Sequence, residues 1–236
     1  MAVSPRVIQK FSTILLWVLI VVEVGLAIIY LAGILLTGKA YPAFDMDGQM
    51  TIPSLLQALH LFLIGAISLG LLITSRNSSQ HPSRLFLLTV AILFIYGSID
   101  EIFKIHLQLY NLLSTTHKRA WMPIYLGIGV TTPLVFHRDF IALWHFCRKA
   151  IVFVAVGMGI FILGGFFSEL FKHELVQAIL SYFFQQDDLI PLFVEKFRVA
   201  VEEYSELLGE SLTLYGLCLY LAKRLEKNSD SAIANI

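Results

Sequence analysis

Long apolar segments separated by short polar connections dominate the chain. They predict six membrane-spanning helices, near residues 11–36, 53–74, 85–108, 121–137, 150–171 and 199–222. Crossing a hydrocarbon core takes about 20 helical residues, and each segment is close to that length or exceeds it. Helices are the expected form because a lipid-facing backbone must satisfy its polar groups internally. The stretch 173–193 mixes apolar and polar residues and is predicted to lie at the interface or to re-enter the membrane.

Composition agrees with this pattern. Hydrophobic residues make up 57% of the 236 residues and charged residues 14%, and the mean hydropathy is +0.77, whereas an average domain is roughly 45–50% apolar. The expected fold class is therefore all-α, a polytopic transmembrane helical bundle in which residues 1–236 form one membrane domain embedded in the lipid bilayer. The net charge of zero, with no block of like charges, argues against nucleic acid as a partner.

The distribution of lysine and arginine predicts the orientation, because these residues are enriched in cytoplasmic loops. With six spans, one side of the membrane collects Arg6, Lys10, Arg76, Arg84, Arg138, Arg148, Lys149, Lys223, Arg224 and Lys227. The other side holds Lys118 and Arg119, together with the acidic loops around 45–47 and 187–188. Both termini are therefore predicted to be cytoplasmic.

A proline and two groups of glycines refine the predicted helices. Pro133 is expected to kink the fourth span, and residues 140–147 either continue that span or lie along the interface. The glycines within 154–165 and 127–129 are expected to let neighbouring helices approach closely, which is the usual role of small residues in membrane bundles. No chemistry is assigned to them.

Polar residues in four of the predicted spans share one depth, near the outer boundary of the membrane. They are Gln57 and His60 in the second span, Asp100 and Glu101 in the third, Glu169 in the fifth, and Glu202, Glu203, Glu206 and Glu210 in the sixth. At about 100° per residue, the four glutamates of the sixth span fall within an arc of roughly 100° and face one way. On the third helix, His106 is predicted to point roughly 120° or more away from the face of the two acids and to belong to a different contact.

Ionisable groups inside a membrane span are costly, and they often mark an ion or proton pathway. Carboxylates and imidazoles that converge from several helices are also the ligands of divalent-metal sites in helical bundles, although the Glu-x-x-His spacing of the carboxylate-bridged class is absent here. A divalent metal ion is the candidate cofactor. Its candidate ligands are Asp100, Glu101, Glu203, Glu206, Glu210, Glu169, His60 and His106.

Structural roles compete with this interpretation for the third span. Asp100 and Glu101 could form an ion pair with Lys104 or Arg198, since buried charges are expected to find partners. His60 could be a hydrogen-bonded core histidine rather than a ligand.

The glutamates nearest the interface also have a simple explanation. Glu202 and Glu203 lie close enough to water that solvation alone accounts for them. Glu23, midway along the first span, has no partner that the sequence identifies, and burial would favour its protonated form.

Two motifs resemble those of a known family. They are DExxxxH at the end of the third span, with Asp100, Glu101 and His106, and EExxELxG in the last span, with Glu202, Glu203, Glu206, Leu207 and Gly209. Over residues 85–224 the chain is similar to a family of uncharacterised bacterial polytopic membrane proteins. In that family an acidic residue commonly follows the histidine, where this chain has Leu107. The resemblance implies a helical bundle in a bacterial cytoplasmic membrane and supplies no activity.

Three functional hypotheses follow from these residues. In the first, the outer carboxylates of the third, fifth and sixth spans, with His60 and His106 as further ligands, bind a cation, either a divalent metal or a proton, for transport. In the second, the protein is a membrane-embedded metalloenzyme in which Asp100, Glu206, Glu210 and a histidine hold a metal that activates water against a lipid-like substrate. In the third, it is a non-catalytic subunit or assembly factor, bound to other membrane proteins or to a second copy of itself. Whether the protein is an enzyme stays open.

Overall fold

The computed structural model describes residues 4–75, 82–108, 121–167 and 189–234. Within these residues the chain forms seven α-helices and no β-strand, in agreement with the all-α prediction. The helices are α1 (Pro5–Thr37), α2 (Ile52–Thr74), α3 (Arg84–Phe103), α4 (Trp121–Val135), α5 (His137–Phe146), α6 (Arg148–Ile162) and α7 (Leu189–Ala234). Short 3-10 turns cover Pro42–Phe44 and Ile105–Gln108, and Leu163–Phe167 is π-helical.

Four of the described helices are long and apolar enough to cross a membrane: α1, α2, α3 and the segment Arg148–Gly165 that contains α6. Helix α4 is apolar but has 15 residues, about 22 Å at about 1.5 Å per residue. Helix α7 has 46 residues and carries the glutamates of the sixth predicted span. Four predicted spans thus coincide with helices that could cross a membrane, whereas the total of six and the cytoplasmic termini stay predictions.

The helix ends differ from the predicted ends for local reasons. Helix α3 stops at Phe103, before the predicted residue 108, because Lys104 adopts a left-handed conformation with φ of 47°. Helix α7 begins at Leu189, so residues 189–193 form its first turns, while residues 173–188 lie outside the described part of the chain. The helix is interrupted at Phe136, three residues after Pro133, and residues 137–146 form the separate helix α5.

Helix α7 is central to the packing, since it contacts α1, α2 and α6, while α2 also packs along α3. Two buried apolar clusters lie at different levels of α1 and α7. One includes Leu16 and Tyr215, and the other includes Tyr30 and Leu207. The intervening level of both helices therefore lies between the two apolar clusters. The most deeply buried acids, Glu23 and Glu210, occur at this level.

Glycines bring α6 and α7 into backbone contact. A Cβ atom built on Gly157 would lie 2.4 Å from the carbonyl oxygen of Gly209, and one on Gly209 would lie 2.6 Å from the carbonyl oxygen of Gly157. The predicted close approach is confirmed for Gly157. At Gly127 and Gly129 no described atom lies within 4 Å of such a Cβ, so these two glycines make no close helix contact with the described residues.

Candidate functional site

The first functional pair joins α2 to α7. The amide Nε2 of Gln57 donates a hydrogen bond of 2.7 Å to Oε2 of Glu206. Gln57 is buried and Glu206 is half-buried. The π-helical segment borders the same carboxylate, because a Cβ atom built on Gly165 would lie 2.4 Å from Oε1 of Glu206. Three elements therefore confine the Glu206 carboxylate.

The second pair lies one helical turn deeper. His60 and Glu210 are 1% and 3% exposed, and Nδ1 of His60 lies 3.6 Å from Oε2 of Glu210. Neither ring nitrogen of His60 and neither carboxylate oxygen of Glu210 forms a hydrogen bond of normal geometry with the described residues. The Gln57 amide, which bonds to Glu206, lies close enough to interact with the Glu210 carboxylate as well. Buried polar atoms are nearly always hydrogen-bonded, and unpaired ones point to a functional role or to a small bound species.

A small cavity adjoins Glu210. It has a volume of about 30 Å³, and its walls include Leu61, Phe94, Met158 and Thr213 as well as Glu210 itself. A single water needs roughly 10–15 Å³ of such space, together with polar partners. The volume would admit one or two waters, but the accessible wall is apolar, so the Glu210 carboxylate lies beside this space without being exposed to it.

The third pair occupies the end of α3. Lys104 and Glu101 are both buried and form an ion pair, as expected for one of the two acids. Lys104 also lies within electrostatic range of Glu203 and Glu206. The ammonium of Lys104 thus lies near three glutamates: Glu101 on α3, and Glu203 and Glu206 on α7.

The fourth pair, Asp100 and His106, closes the turn that follows α3. The Asp100 carboxylate accepts a hydrogen bond of 2.7 Å from the backbone N–H of His106, and its other oxygen lies 2.7 Å from Nδ1 of the same residue. The prediction that His106 points away from Asp100 is wrong, because α3 ends at Phe103 and the following turn brings His106 back. The imidazole then packs edge-on against Trp121 and Tyr125.

The remaining candidates lie in the N-terminal part of α7 or outside the described chain. Glu202 is half-buried and pairs with Arg198 at 2.5 Å, so solvation alone does not account for it. Arg198 also contacts Glu195 at 3.1 Å. Glu203 is half-buried and within electrostatic range of Glu101 and Glu206. Glu169 lies outside the described residues.

Sequence reasoning missed the partner of Glu23. This residue is 0% exposed, and the hydroxyl of Ser211 donates a hydrogen bond of 2.5 Å to its Oε1 atom. Ser211 immediately follows Glu210 on α7, so one helix turns its neighbouring polar residues toward two different helices. A serine next to a glutamate in an apolar helix was the available signal, but the pairing of α1 with α7 was needed to interpret it.

The candidate ligands do not assemble into one metal centre within the described residues. No group of three or more His, Cys, Asp or Glu side chains there is placed to hold a metal ion. The described carboxylates instead pair with neutral or basic side chains: Gln57, His60, Lys104, His106 and Arg198. What converges is a layer of acids from α3 and α7, together with Gln57 and His60 from α2.

The fold and the site define an all-helical protein in which four helices are apolar enough to cross a membrane and buried acids lie between them. A family model described as a Domain of unknown function (DUF8692) matches residues 12–222. The chain belongs to this family, which confirms the expected membership of an uncharacterised family, whereas bacterial origin and the two motifs stay predictions. No curated protein and no solved structure matches the chain.

Proposed function

We propose that the protein is a multi-pass membrane protein that binds a proton at the His60–Glu210 pair and transports it across the membrane. The observation that carries this proposal is the pair itself, which is buried and whose four polar side-chain atoms lack hydrogen bonds among the described residues. Glu210 also lines the small cavity. A carboxylate in such surroundings is costly unless a proton or cation neutralises it. The pair can hold one proton on either the carboxyl or the imidazole.

A proton fits these surroundings better than a metal ion does. A tetrahedral protein site uses three or four ligands, and His60 and Glu210 supply two. The nearest further carboxylates, Glu206 and Glu101, already bond to Gln57 and Lys104. Neutralising one carboxylate requires one proton and no further ligand.

The glutamates of α7 supply a route to this pair. Glu203, Glu206 and Glu210 follow one another at steps of three and four residues, which places them along one face of the helix. From Glu203 to Glu210 the descent is about 10 Å at about 1.5 Å per residue. With the orientation proposed from the lysine and arginine pattern, the route opens on the outer side of the membrane.

Infrared difference spectroscopy tests proton binding directly. Spectra of the purified protein at acidic minus alkaline pH are expected to show the carbonyl stretch of a protonated carboxyl, and Glu210→Gln is expected to remove one such band. Glu226→Gln is the matched control, because Glu226 lies exposed on the same helix. Identical spectra for the wild type and Glu210→Gln would contradict the proposal.

Reconstituted vesicles test transport. With a pH gradient, an enclosed pH-sensitive dye and a potassium ionophore to balance charge, the wild type is expected to dissipate the gradient faster than empty vesicles. Glu210→Gln is expected to reduce the excess rate at least tenfold, and Glu226→Gln to leave it unchanged. A wild-type rate equal to that of empty vesicles would overturn the transport part of the proposal.

The Asp100–His106 pair supports a second candidate, the metal-dependent hydrolase. A carboxylate bonded to one ring nitrogen of a histidine orients the other nitrogen toward a metal or a proton-transfer partner. Elemental analysis separates the two candidates. A stoichiometric metal that disappears in His106→Asn and persists in His60→Asn would favour the hydrolase over the proton carrier.

A further inference from the structure

A second buried acid, on α1, contacts α7 at the residue that follows Glu210. Glu23 is fully buried midway along α1 and accepts the hydrogen bond from Ser211 through Oε1, while its Oε2 atom has no hydrogen-bond partner among the described residues. It occupies the level between the two apolar clusters. A carboxylate held there by one hydroxyl requires neutralisation for the same reason as Glu210.

Polar groups continue from Glu23 toward the end of the molecule where α1 begins. A cavity of about 10 Å³ is lined by Ser12, Ser211, Tyr215 and Cys218 among others, which is at the lower limit of what a single water needs. Farther along, the hydroxyls of Thr13 and Tyr215 lie 3.3 Å apart. We call Glu23, Ser211, Ser12, Tyr215 and Thr13 the α1–α7 seam.

The seam begins where the route through the outer acids ends. Glu210 and Ser211 are consecutive residues, and Glu23 lies within electrostatic range of Glu210 and of Tyr204. Among the described residues, these two groups on α7 are the titratable ones that face Glu23. The two buried carboxyl groups thus lie at the same level against adjacent faces of α7, because consecutive helical residues point about 100° apart.

We propose that Glu23 is a second proton-binding carboxyl, which receives a proton from Glu210 and passes it into the α1–α7 seam. This inference rests on the proposed function. In the transfer, the Glu210 carboxyl loses a proton and becomes a carboxylate, while the Glu23 carboxylate gains one and becomes a carboxyl. The Ser211 hydroxyl bonds to Glu23 and not to Glu210 in this structure, so the transfer requires a side-chain movement that brings the Glu210 carboxyl to Ser211. The hydroxyl can then accept one proton while it donates another and ends the step unchanged.

Infrared difference spectra of single variants test Glu23 separately from Glu210. Glu23→Gln is expected to remove one protonated-carboxyl band and to leave the band that Glu210→Gln removes. A Glu210 band without a Glu23 band would overturn the inference and leave the proposed function standing. A Glu23 band without a Glu210 band would support Glu23 as a proton site and contradict the proposed function.

Ser211→Ala provides a test that does not depend on the folding of Glu23→Gln. Loss of the hydrogen bond to Oε1 is expected to move the Glu23 carbonyl stretch to higher frequency. Ser205→Ala is the matched control, because the Ser205 hydroxyl donates to the carbonyl of Val201 within α7 at 2.6 Å. Equal spectra for Ser211→Ala and Ser205→Ala would overturn the assignment.

Proton flux tests the transfer itself. In the reconstituted vesicles, Glu23→Gln is expected to lower the excess rate at least tenfold, and Ser205→Ala to leave it at the wild-type value. Retention of the wild-type rate by folded Glu23→Gln, with the Glu23 band absent from its spectrum, would overturn the transfer through Glu23.

Discussion

At the scale of single residues, Gln57 has a specific task. Its amide donates to Glu206, and a carboxylate and a carboxyl both offer an acceptor oxygen, so the bond of 2.7 Å survives either protonation state. A donor of fixed charge such as lysine would instead hold the glutamate ionised. Gln57 therefore suits a position where the charge of its partner changes.

The first prediction removes this donor. Gln57→Leu is expected to lower the free energy of unfolding by about 1–3 kcal/mol, since a buried acceptor loses its partner. Denaturant unfolding in detergent, followed by tryptophan fluorescence, measures the change. Gln9→Leu is the control because Gln9 is exposed, and equal stability of the two variants would show that the bond contributes nothing.

The second prediction concerns Asp100, which the structure places with His106. Asp100→Ala is expected to speed hydrogen exchange at the His106 amide by roughly tenfold or more, because bonds to charged acceptors contribute about 1.5–3 kcal/mol. Mass spectrometry of the exchanged protein measures this rate. The Glu210 infrared band is expected to stay unchanged, and its loss in Asp100→Ala would instead place Asp100 within the proton site.

At the scale of helices, the contact between α6 and α7 depends on which glycine faces the neighbour. Gly157 and Gly159 lie two residues apart on α6, but only Gly157 approaches α7, and no described atom lies within 4 Å of a Cβ built on Gly159. The close approach sets the distance of α7 from the π-helical segment that borders Glu206. The helix contact thus supports the geometry of the site.

The third prediction compares these two glycines. Gly157→Ala is expected to lower the free energy of unfolding by about 1–3 kcal/mol, because the added methyl group meets rigid backbone. Gly159→Ala adds the same methyl group into open space and is expected to be neutral or stabilising by up to about 1 kcal/mol. Thermal unfolding of both variants in one detergent decides the matter, and equal effects would argue against the close approach.

The continuous apolar segments of α1, α2, α3 and α6 were sufficient to predict these helices, because a helix that crosses a lipid bilayer requires about 20 mainly hydrophobic residues. The helix ends were not predictable in the same way. Lys104 adopts a left-handed conformation and ends α3, although no proline or glycine follows directly in the sequence to signal a helix end. The incorrect helix end is the reason that His106 was predicted to point away from Asp100. The layer of acids was predictable from shared depth, but its division into pairs was not, because pairing depends on helix rotation.

At the scale of the whole molecule, buried acids lie between two apolar clusters on α1 and α7. A chain selected only for stability would fill this level with apolar side chains, since replacing buried charged pairs by well-packed hydrophobic residues is often stabilising. Retaining His60, Glu210 and Glu23 there implies a cost in stability that a function offsets.

The fourth prediction measures that cost. The double variant His60→Leu with Glu210→Leu is expected to have a free energy of unfolding about 1–4 kcal/mol higher than the wild type, and therefore a higher unfolding temperature. It is also expected to lose proton flux. Glu210→Leu alone is expected to gain less, because it leaves the His60 ring buried without a carboxylate. A double variant less stable than both single variants would show that the pair serves the fold rather than the function.

The crowding of Glu206 by Gly165 has a consequence for the relatives of this chain. The methyl group of an alanine at position 165 would require the end of the Glu206 side chain to shift, because the Cβ would lie 2.4 Å from Oε1, and such a shift changes the geometry of the carboxylate beside Gln57. The identities at positions 165, 206 and 57 are therefore tied to one another. Across the family, we expect glycine at 165 to co-vary with glutamate at 206, and members that have lost this glutamate to accept larger residues in the π-helical turn.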